Sequence, residues 1–298
     1  MQTETELKQL VRHTYTTVAD QSRAMNAASC CGVGACSPLD DAAIMADDYT
    51  HLAGYVPDAD LGLGCGLPTQ FAQIKPGDTV IDLGSGAGND CFVARHETGP
   101  TGKVIGIDFT PAMIDRARRN ADARGYNNVE FRAGDIEQMP VADAVADVVV
   151  SNCVLNLVPN KANVLAEIFR VLKPGGHFSI SDIVLQGALP AGLLQAAELY
   201  AGCVSGAIQH DTYLRLIAEA GFGQITVQKS KPITLPDVVL TNYLAADEIA
   251  AYRQGQTGIL SVTVYAEKPG AAPAKPRLLL TDLTNPSANV CTPGGGCC

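Results

Sequence analysis

Apolar and polar positions along the chain follow a helical period first and a strand–helix alternation afterwards. Within residues 5–24, apolar side chains recur at helical spacing, at Leu7, Leu10, Val11, Tyr15 and Val18. They predict an amphipathic helix that packs onto the main body. From residue 78, short apolar runs predict strands near 79–83, 103–108, 129–133, 146–152 and 176–184, with helices near 89–97, 111–124 and 161–172. This alternation is typical of a doubly wound, mainly parallel α/β sheet.

The regularity loosens in the last third of the chain. Lys173-Pro174-Gly175-Gly176 is expected to end a helix through a left-handed glycine. Helices near 191–201, 210–220 and 243–253 and strands near 224–229 and 259–267 are expected to complete the sheet and cover its active edge. We therefore predict an N-terminal helical cap with a cysteine-rich loop (1–60), a Rossmann-like central domain (61–185), a C-terminal α+β roof (186–268) and a Pro/Gly linker with a cysteine-containing tail (269–298).

Composition and charge narrow the classes of protein. The net charge of −10 is expected to repel nucleic acid and anionic membranes. The polar N-terminus resembles no signal sequence, and no apolar run approaches the roughly 18 residues of a membrane span. We expect a cytoplasmic protein. Its ten cysteines then indicate thiols for metals, redox or catalysis more than a disulfide framework.

A glycine-rich loop follows the first predicted strand, in Val80-Ile81-Asp82-Leu83-Gly84-Ser85-Gly86-Ala87-Gly88-Asn89-Asp90. Three close glycines leave backbone facing a ligand, or else form a tight turn without one. Asn89 occupies the position where the dinucleotide fingerprint has its third glycine, and no phosphate loop follows. A pyrophosphate site is therefore disfavoured.

Acidic residues follow or end the first three strands, where open α/β sheets bind ligands. They are Asp82, Asp108 and the Asp135 of Gly134-Asp135-Ile136. Together with the loop they resemble the S-adenosylmethionine (SAM) site of class I methyltransferases. The resemblance implies that Asp82, Gly84, Ser85, Gly86 and Gly88 hold the amino-acid part of SAM, Asp108 its ribose, and Asp135 with Ile136 its adenine.

Three cysteines stand at accessible or ligand-facing positions. Cys153 follows the fourth strand, Cys65 lies between two glycines ahead of the sheet, and Cys203 lies in Ala201-Gly202-Cys203-Val204-Ser205 near a roof helix. Each alone is typical of a buried, inert thiol. Cys91, in the first turn after the glycine loop, is interpreted as core packing. No other self-contained catalytic motif and no histidine ligand spacing is present.

The glycine loop, Gly64-Cys65-Gly66, Ser151-Asn152-Cys153-Val154-Leu155-Asn156, Cys203 and the terminal Cys297-Cys298 together resemble the arsenite SAM methyltransferases over roughly residues 10–268. The resemblance implies that Cys65, Cys153 and Cys203 hold trivalent arsenic, whose lone pair attacks the methyl group of SAM. Soft thiolates suit a soft centre, and three match its trivalency, whereas structural zinc usually takes four ligands.

The same resemblance implies a redox role for the N-terminal cysteines. Cys30, Cys31 or Cys36 would form a disulfide with the first arsenic ligand at product release, and a thioredoxin- or glutathione-type thiol would reduce it. The alternative is a loop that binds metal adventitiously. Cys297-Cys298 would capture arsenite on a tether, or be dispensable.

Two other functions remain open from the sequence. A SAM-dependent C- or O-methyltransferase of a small lipid or quinone would use the same cofactor motifs without a thiol triad. A non-catalytic thiol-rich protein would sequester arsenic or metal ions without binding SAM.

Overall fold

The computed structural model describes residues 4–22, 25–26, 47–188, 206–234, 240–241, 244–255 and 257–270. Its helices are α1 (Glu4–Ala19), α2 (Pro68–Phe71), α3 (Asn89–Thr98), α4 (Pro111–Ala123), α5 (Lys161–Val171), α6 (His210–Glu219) and α7 (Ala246–Gln254). Its strands are β1 (Thr79–Leu83), β2 (Lys103–Asp108), β3 (Val129–Ala133), β4 (Ala146–Asn152), β5 (Leu172–Gln186), β6 (Gly223–Ile233) and β7 (Gly258–Glu267). Short 3₁₀ turns span Pro57–Ala59 and Leu155–Leu157.

One seven-stranded sheet carries the described part of the chain, in the order β3-β2-β1-β4-β5-β7-β6. The first five strands run parallel, and β7 is antiparallel to both β5 and β6. The order reverses between β1 and β4, where parallel α/β sheets form their ligand crevice. The predicted mainly parallel doubly wound sheet is confirmed, and the two C-terminal strands complete it.

Alternating side chains of the central strands fill a core on each face of the sheet. On one face, Ile81, Leu83 and Phe178 pack with Ile168 of α5 and Ile217 of α6. On the other face, Val80, Val104 and Val148 pack with Phe92 of α3 and Ile114 of α4. Consecutive residues Val80 and Ile81 thus bury opposite faces, as the two-residue period of a strand requires. Because helices cover both faces of the sheet, the sequences of the parallel strands are nearly continuous apolar runs.

Helix α1 packs beside α4 at the carboxyl edge of the sheet. The guanidinium of Arg116 on α4 donates to the carbonyl oxygens of Ala19 and Gln21, each at 2.7 Å. Ala19 is the last residue of α1, where helix carbonyls have no partner within the helix, and Gln21 lies two residues beyond it. The arginine therefore fixes the C-terminal end of α1 against the sheet's own helices.

The prediction that a left-handed glycine of Lys173–Gly176 caps the preceding helix was wrong. Helix α5 ends at Val171, and its C-cap, Leu172, is extended instead of left-handed. Gly175 does adopt a left-handed φ of 82°, but within β5, where the pairing with β4 shifts register. Gly175 N donates to Lys268 O and Lys268 N donates to Gly176 O, at 2.9 and 2.8 Å. These two bonds draw the segment into the sheet.

No helix among the described residues is long and apolar enough to span a membrane. The predicted helix near 191–201, the cysteines at 30, 31, 36 and 203, and the tail beyond 270 lie outside the described residues. The division into four segments, with its three boundaries, stays a prediction.

Candidate active site

The loop between β1 and α3 forms the floor of the candidate site. Gly84 has a φ of 65°, and a Cβ there would collide with the side chain of Val154. Gly86 has a φ of 51°, and a Cβ there would find its nearest neighbour, Met113 Sδ, at 4.0 Å. Gly88 is the N-cap residue of α3 and packs against Phe92 and Phe131. Gly86 is therefore the glycine that leaves open space above the backbone, and Gly84 and Gly88 permit close packing on either side.

Two cavities meet at this loop. The larger, about 740 Å³, is lined by Asp108, Asp135 and Ile136 and by residues of α1. The smaller, about 570 Å³, is lined by Asp82, Ser85 and Asp90. Both are lined by Leu63, Gly84, Gly86 and Asn152. The predicted cofactor residues other than Gly88 thus divide between two adjoining spaces on the carboxyl side of the sheet.

Asp108 ends β2 with its carboxylate held by backbone. One oxygen accepts from Gly86 N at 3.0 Å, and the other accepts from Thr110 N at 2.8 Å. Burial raises the pKa of Asp108, and these backbone hydrogen bonds oppose the rise. Each oxygen has capacity for a further hydrogen bond. The carboxylate is therefore oriented before any ribose hydroxyl arrives.

Replacing Asp108 by alanine is expected to weaken SAM binding by about 1.5–3 kcal/mol, the loss of charge-assisted hydrogen bonds to a ribose. Isothermal titration with SAM and S-adenosylhomocysteine measures the change. Asp115→Ala, at an exposed carboxylate on α4, is the matched control and should leave the affinity unaltered. Unchanged affinity in Asp108→Ala would contradict the ribose assignment.

Asp82 and Asp90 lie deeper in the smaller cavity. Asp90 accepts hydrogen bonds from the hydroxyl of Tyr49 at 2.8 and 2.9 Å and from Thr69 at 3.3 Å. Burial raises the pKa of Asp90 to about 6. Asp82 accepts from the thiol of Cys91 at 3.2 Å. Burial and then the charge of Asp82 raise the pKa of Cys91, which favours an inert thiol, as the packing interpretation expects.

Asp135 already has partners. Its Oδ2 accepts from Lys8 Nζ at 2.7 Å, and its Oδ1 accepts from Glu137 N at 2.9 Å. Lys8 also pairs with the carboxylate of Glu137. Ile136, only 6% exposed, lines the same cavity. The predicted adenine-binding segment is thus oriented by a lysine 127 residues earlier in the chain, which sequence reasoning missed.

Asn152, the last residue of β4, connects the two cavities to the Cys65 loop. Its Oδ1 accepts from Cys65 N at 2.9 Å and from Gly66 N at 3.3 Å. Its Nδ2 donates to Tyr49 Oη at 2.5 Å and to Gly66 O at 2.8 Å. A Cβ at Gly64 would collide with this amide. Asn152 had no role predicted from the sequence, although its place at the end of a parallel strand was an available signal.

Cys65 and Cys153 lie in one apolar cluster with Val11, Leu157 and Ile259. Cys65 is fully buried, and its carbonyl accepts from Ser261 Oγ at 2.5 Å. Cys153 N donates to Ser181 O at 2.8 Å, and its φ of 60° is left-handed. Such a φ is uncommon for a residue with a side chain, and strain of this kind concentrates at functional sites. The structure therefore places two of the three predicted arsenic ligands in the same apolar cluster, and their role as ligands stays a prediction.

The third predicted ligand, Cys203, and the predicted redox residues Cys30, Cys31 and Cys36 lie outside the described residues. Among the residues described, no group of three or more His, Cys, Asp or Glu could hold a metal ion. The three-thiolate site stays a prediction.

Two buried polar groups near this cluster were also missed. Asp182 follows Ser181 on β5, and Tyr213 lies on α6; Asp182 Oδ2 and the Tyr213 hydroxyl have no hydrogen-bond partner among the described atoms. Burial raises the pKa of Asp182 to about 7, opposed by the charge of Lys161. Burial, and then the charges of Asp182, Cys65 and Cys153, raise the pKa of Tyr213. A lone acid inside the apolar run of β5 was the signal in the sequence.

The raised pKa values of Asp182 and Asp90 predict how stability depends on pH. Between about pH 4 and pH 7, the folded state holds protons that the unfolded state releases, so the unfolding free energy falls as the pH rises. Each unit of raised pKa contributes at most about 1.4 kcal/mol. The thermal midpoint is therefore expected to decline from pH 5 to pH 8, and less steeply in Asp182→Asn. Calorimetry showing equal slopes for both proteins would contradict the assignment.

Comparisons with known proteins agree with this architecture. A family model described as "Methyltransferase domain" matches residues 74–221. The arsenite methyltransferase of Halobacterium salinarum is 38% identical over 276 residues, 89% of this chain and 67% of that protein. The arsenite methyltransferase of Aquipseudomonas alcaligenes is 37% identical over 61% of this chain, which spans only 54% of that relative. The crystal structure of CrArsM, an arsenic (III) S-adenosylmethionine methyltransferase from Chlamydomonas reinhardtii, superposes with a TM-score of 0.59 and 33% identity, over 70% of this chain and 69% of CrArsM.

Proposed function

The chain belongs to the arsenite methyltransferases, which are SAM-dependent enzymes, and on that premise we propose that Cys65, Cys153 and Cys203 hold trivalent arsenic beside the cofactor. The observation that carries the proposal is the meeting of Cys65 and Cys153 in one buried cluster, with Cys153 also lining the larger cavity beside Asp108 and Asp135. Thiolates are the donors that a soft, trivalent centre prefers. Two loops far apart in the sequence thus supply two of the three sulfurs.

The residues at the glycine loop fit the cofactor. Gly86 leaves open space, Asp108 is preoriented, and Ser85 Oγ is buried without a hydrogen-bond partner among the described atoms. We assign the amino-acid part of SAM to Asp82, Gly84, Ser85, Gly86 and Gly88, the ribose to Asp108, and the adenine to Asp135 and Ile136. When bound, SAM supplies an electrophilic methyl group. Gly84, Gly86 and Asn152 line both cavities, and Cys153 lines the larger one.

The protein's part in methyl transfer is mainly positioning. Arsenic held by thiolates carries its own lone pair and has no proton to lose, so no general base is required. Holding two reactants at near-attack separation removes several kcal/mol of barrier by itself. The apolar side chains of Leu157 and Val11, 8% and 1% exposed, keep water away from the cysteine cluster.

Product release in this proposal uses a disulfide between Cys65 and one of Cys30, Cys31 and Cys36. Donation of the arsenic lone pair to the methyl group leaves pentavalent arsenic, which takes up the two electrons that the two thiolates lose as the disulfide forms, so the methylated product leaves as trivalent arsenic. Contacts of the residues before and after these three cysteines in the sequence support this pairing. Asn26 Nδ2 donates to Leu61 O at 3.3 Å, and Asp47 pairs with Lys229 and Lys231 of β6 at 2.7 and 2.9 Å. Cys30 follows Asn26 by four residues, as Cys65 follows Leu61, so a connection between them is within reach of the chain. A thiol reductant of thioredoxin or glutathione type then restores the cysteines, and we place the protein in a reducing, cytoplasmic environment.

The test is direct. Purified protein is incubated with arsenite, SAM and a thiol reductant, and the arsenic species are separated and quantified over time. Methylated arsenic that accumulates with one S-adenosylhomocysteine for each methyl group transferred supports the proposal. Methyl transfer to a quinone or lipid that survives alkylation of the cysteines would favour the C- or O-methyltransferase. Stoichiometric arsenic retention without SAM binding would favour the sequestering protein.

A further inference from the structure

Helix α1 forms one wall of the larger cavity. Lys8, Val11 and Tyr15 line it, opposite Asp108, Ile136 and Met113. These three positions follow a spacing of three and four residues, which places them on one face of the helix. This face of α1 therefore lines the space assigned to adenosine, although α1 lies earlier in the sequence than the glycine loop and the acidic residues at the strand ends.

Polar contacts fasten this face to the loops that follow β2 and β3. Lys8 pairs with Asp135 at 2.7 Å and with the carboxylate of Glu137, which is only 11% exposed. The guanidinium of Arg12 lies 5.4 Å from the ring centroid of Phe109, which also lines the cavity. Both contacts are made by basic side chains of α1 to cofactor loops. These contacts therefore hold the helix beside the predicted adenine and ribose residues.

We propose that α1 is a cofactor-binding element in which Lys8 is a positioning residue: its ion pairs with Asp135 and Glu137 hold the helix over bound adenosine and orient the adenine segment. The proposal rests on the proposed function only in taking the larger cavity as the adenosine end of the cofactor site. These ion pairs must then open whenever the cofactor enters or leaves. Lys8 therefore affects the residence time of the bound cofactor more than the rate of methyl transfer.

The test compares binding of SAM, which carries a sulfonium charge, with binding of S-adenosylhomocysteine, which does not. In Lys8→Ala both affinities are expected to fall by the same factor, roughly fivefold, the value of a partly exposed ion-pair network of about 1 kcal/mol. The loss should appear as faster dissociation. Lys8→Arg should recover most of it, because arginine keeps the charge. With SAM saturating, kcat should stay within about twofold of the unsubstituted protein.

Lys173→Ala is the matched control. Lys173 pairs with Asp147 at 2.7 Å with similar exposure, but at the amino edge of the sheet, and its loss should leave both affinities unaltered. If Lys8 acted only through its charge, Lys8→Ala would bind SAM more tightly and S-adenosylhomocysteine equally well, which would overturn the proposal. A lower thermal midpoint with unchanged affinities would also overturn it, since it would show a purely structural role. Failure of the unsubstituted protein to bind either ligand would instead contradict the proposed function.

Discussion

Replacing Cys153 by serine is expected to abolish arsenite methylation, with a rate at least about a hundredfold lower at every arsenite concentration. A hydroxyl is a weak donor for a soft centre, so two remaining thiolates cannot hold inorganic arsenic in a trigonal site. SAM binding should persist, because the sulfur of Cys153 belongs to the apolar cluster, and the predicted cofactor contacts lie on other residues. Steady-state arsenic speciation and calorimetry with S-adenosylhomocysteine measure both quantities.

The same thiol-to-hydroxyl change at Cys297 and Cys298 is the control. At saturating arsenite, a tether that only raises local concentration has no effect on the rate. Cys65→Ser should also fail on arsenite but retain activity on a monomethyl arsenical, which needs two thiolates. Full arsenite turnover in Cys153→Ser would instead remove Cys153 from the arsenic site and contradict the three-thiolate proposal.

Asn152→Ala is expected to lower arsenite turnover by at least about tenfold and to destabilise the protein by roughly 2–4 kcal/mol. The change leaves the backbone amides of Cys65 and Gly66 without their acceptor at the end of β4. The hydroxyl of Tyr49 loses the donor Asn152 but keeps its own bond to Asp90. Buried donors without partners cost about 1–3 kcal/mol each, less where water enters. Chemical denaturation and steady-state kinetics measure the two effects.

Asn160→Ala separates this effect from a general loss of stability. Asn160 caps α5 by accepting from Asn163 N at 3.2 Å, and its loss should cost about 1 kcal/mol without touching the site. Turnover per folded molecule should therefore stay normal in Asn160→Ala. If both variants lost turnover only in proportion to unfolded protein, Asn152 would have no role beyond stability.

The strands of the sheet were predictable because their signals are local. The apolar run of β1 ends in glycines, and Asp108 ends β2 where the observed strand ends. The family, which was predicted from the glycine loop and the cysteine contexts, is confirmed by the comparisons. Strand positions and glycine turns depend on backbone conformation and burial. Both can be inferred from the types of a few consecutive residues.

The missed features depend on residues far apart in the sequence. Lys8 and Asp135 are separated by 127 residues, and no local pattern links them. Gly175 follows a helix in the way a capping glycine does, but the distant Lys268 backbone draws it into β5. Asn152 was visible as a polar residue at a strand end, yet its partners became known only when the Cys65 loop was placed beside it.

The bond between Asn152 and the Cys65 loop has a consequence for the entropy of arsenic binding. Cys65 and Asn152 are 87 residues apart, and the fold already closes the loop between them. An arsenic atom that bridges Cys65 and Cys153 would thus close no new loop, because the connection between these two positions is already closed during folding. The free energy of the arsenic–sulfur bonds then goes into affinity instead of into organising the protein, which is the advantage of a preorganised receptor.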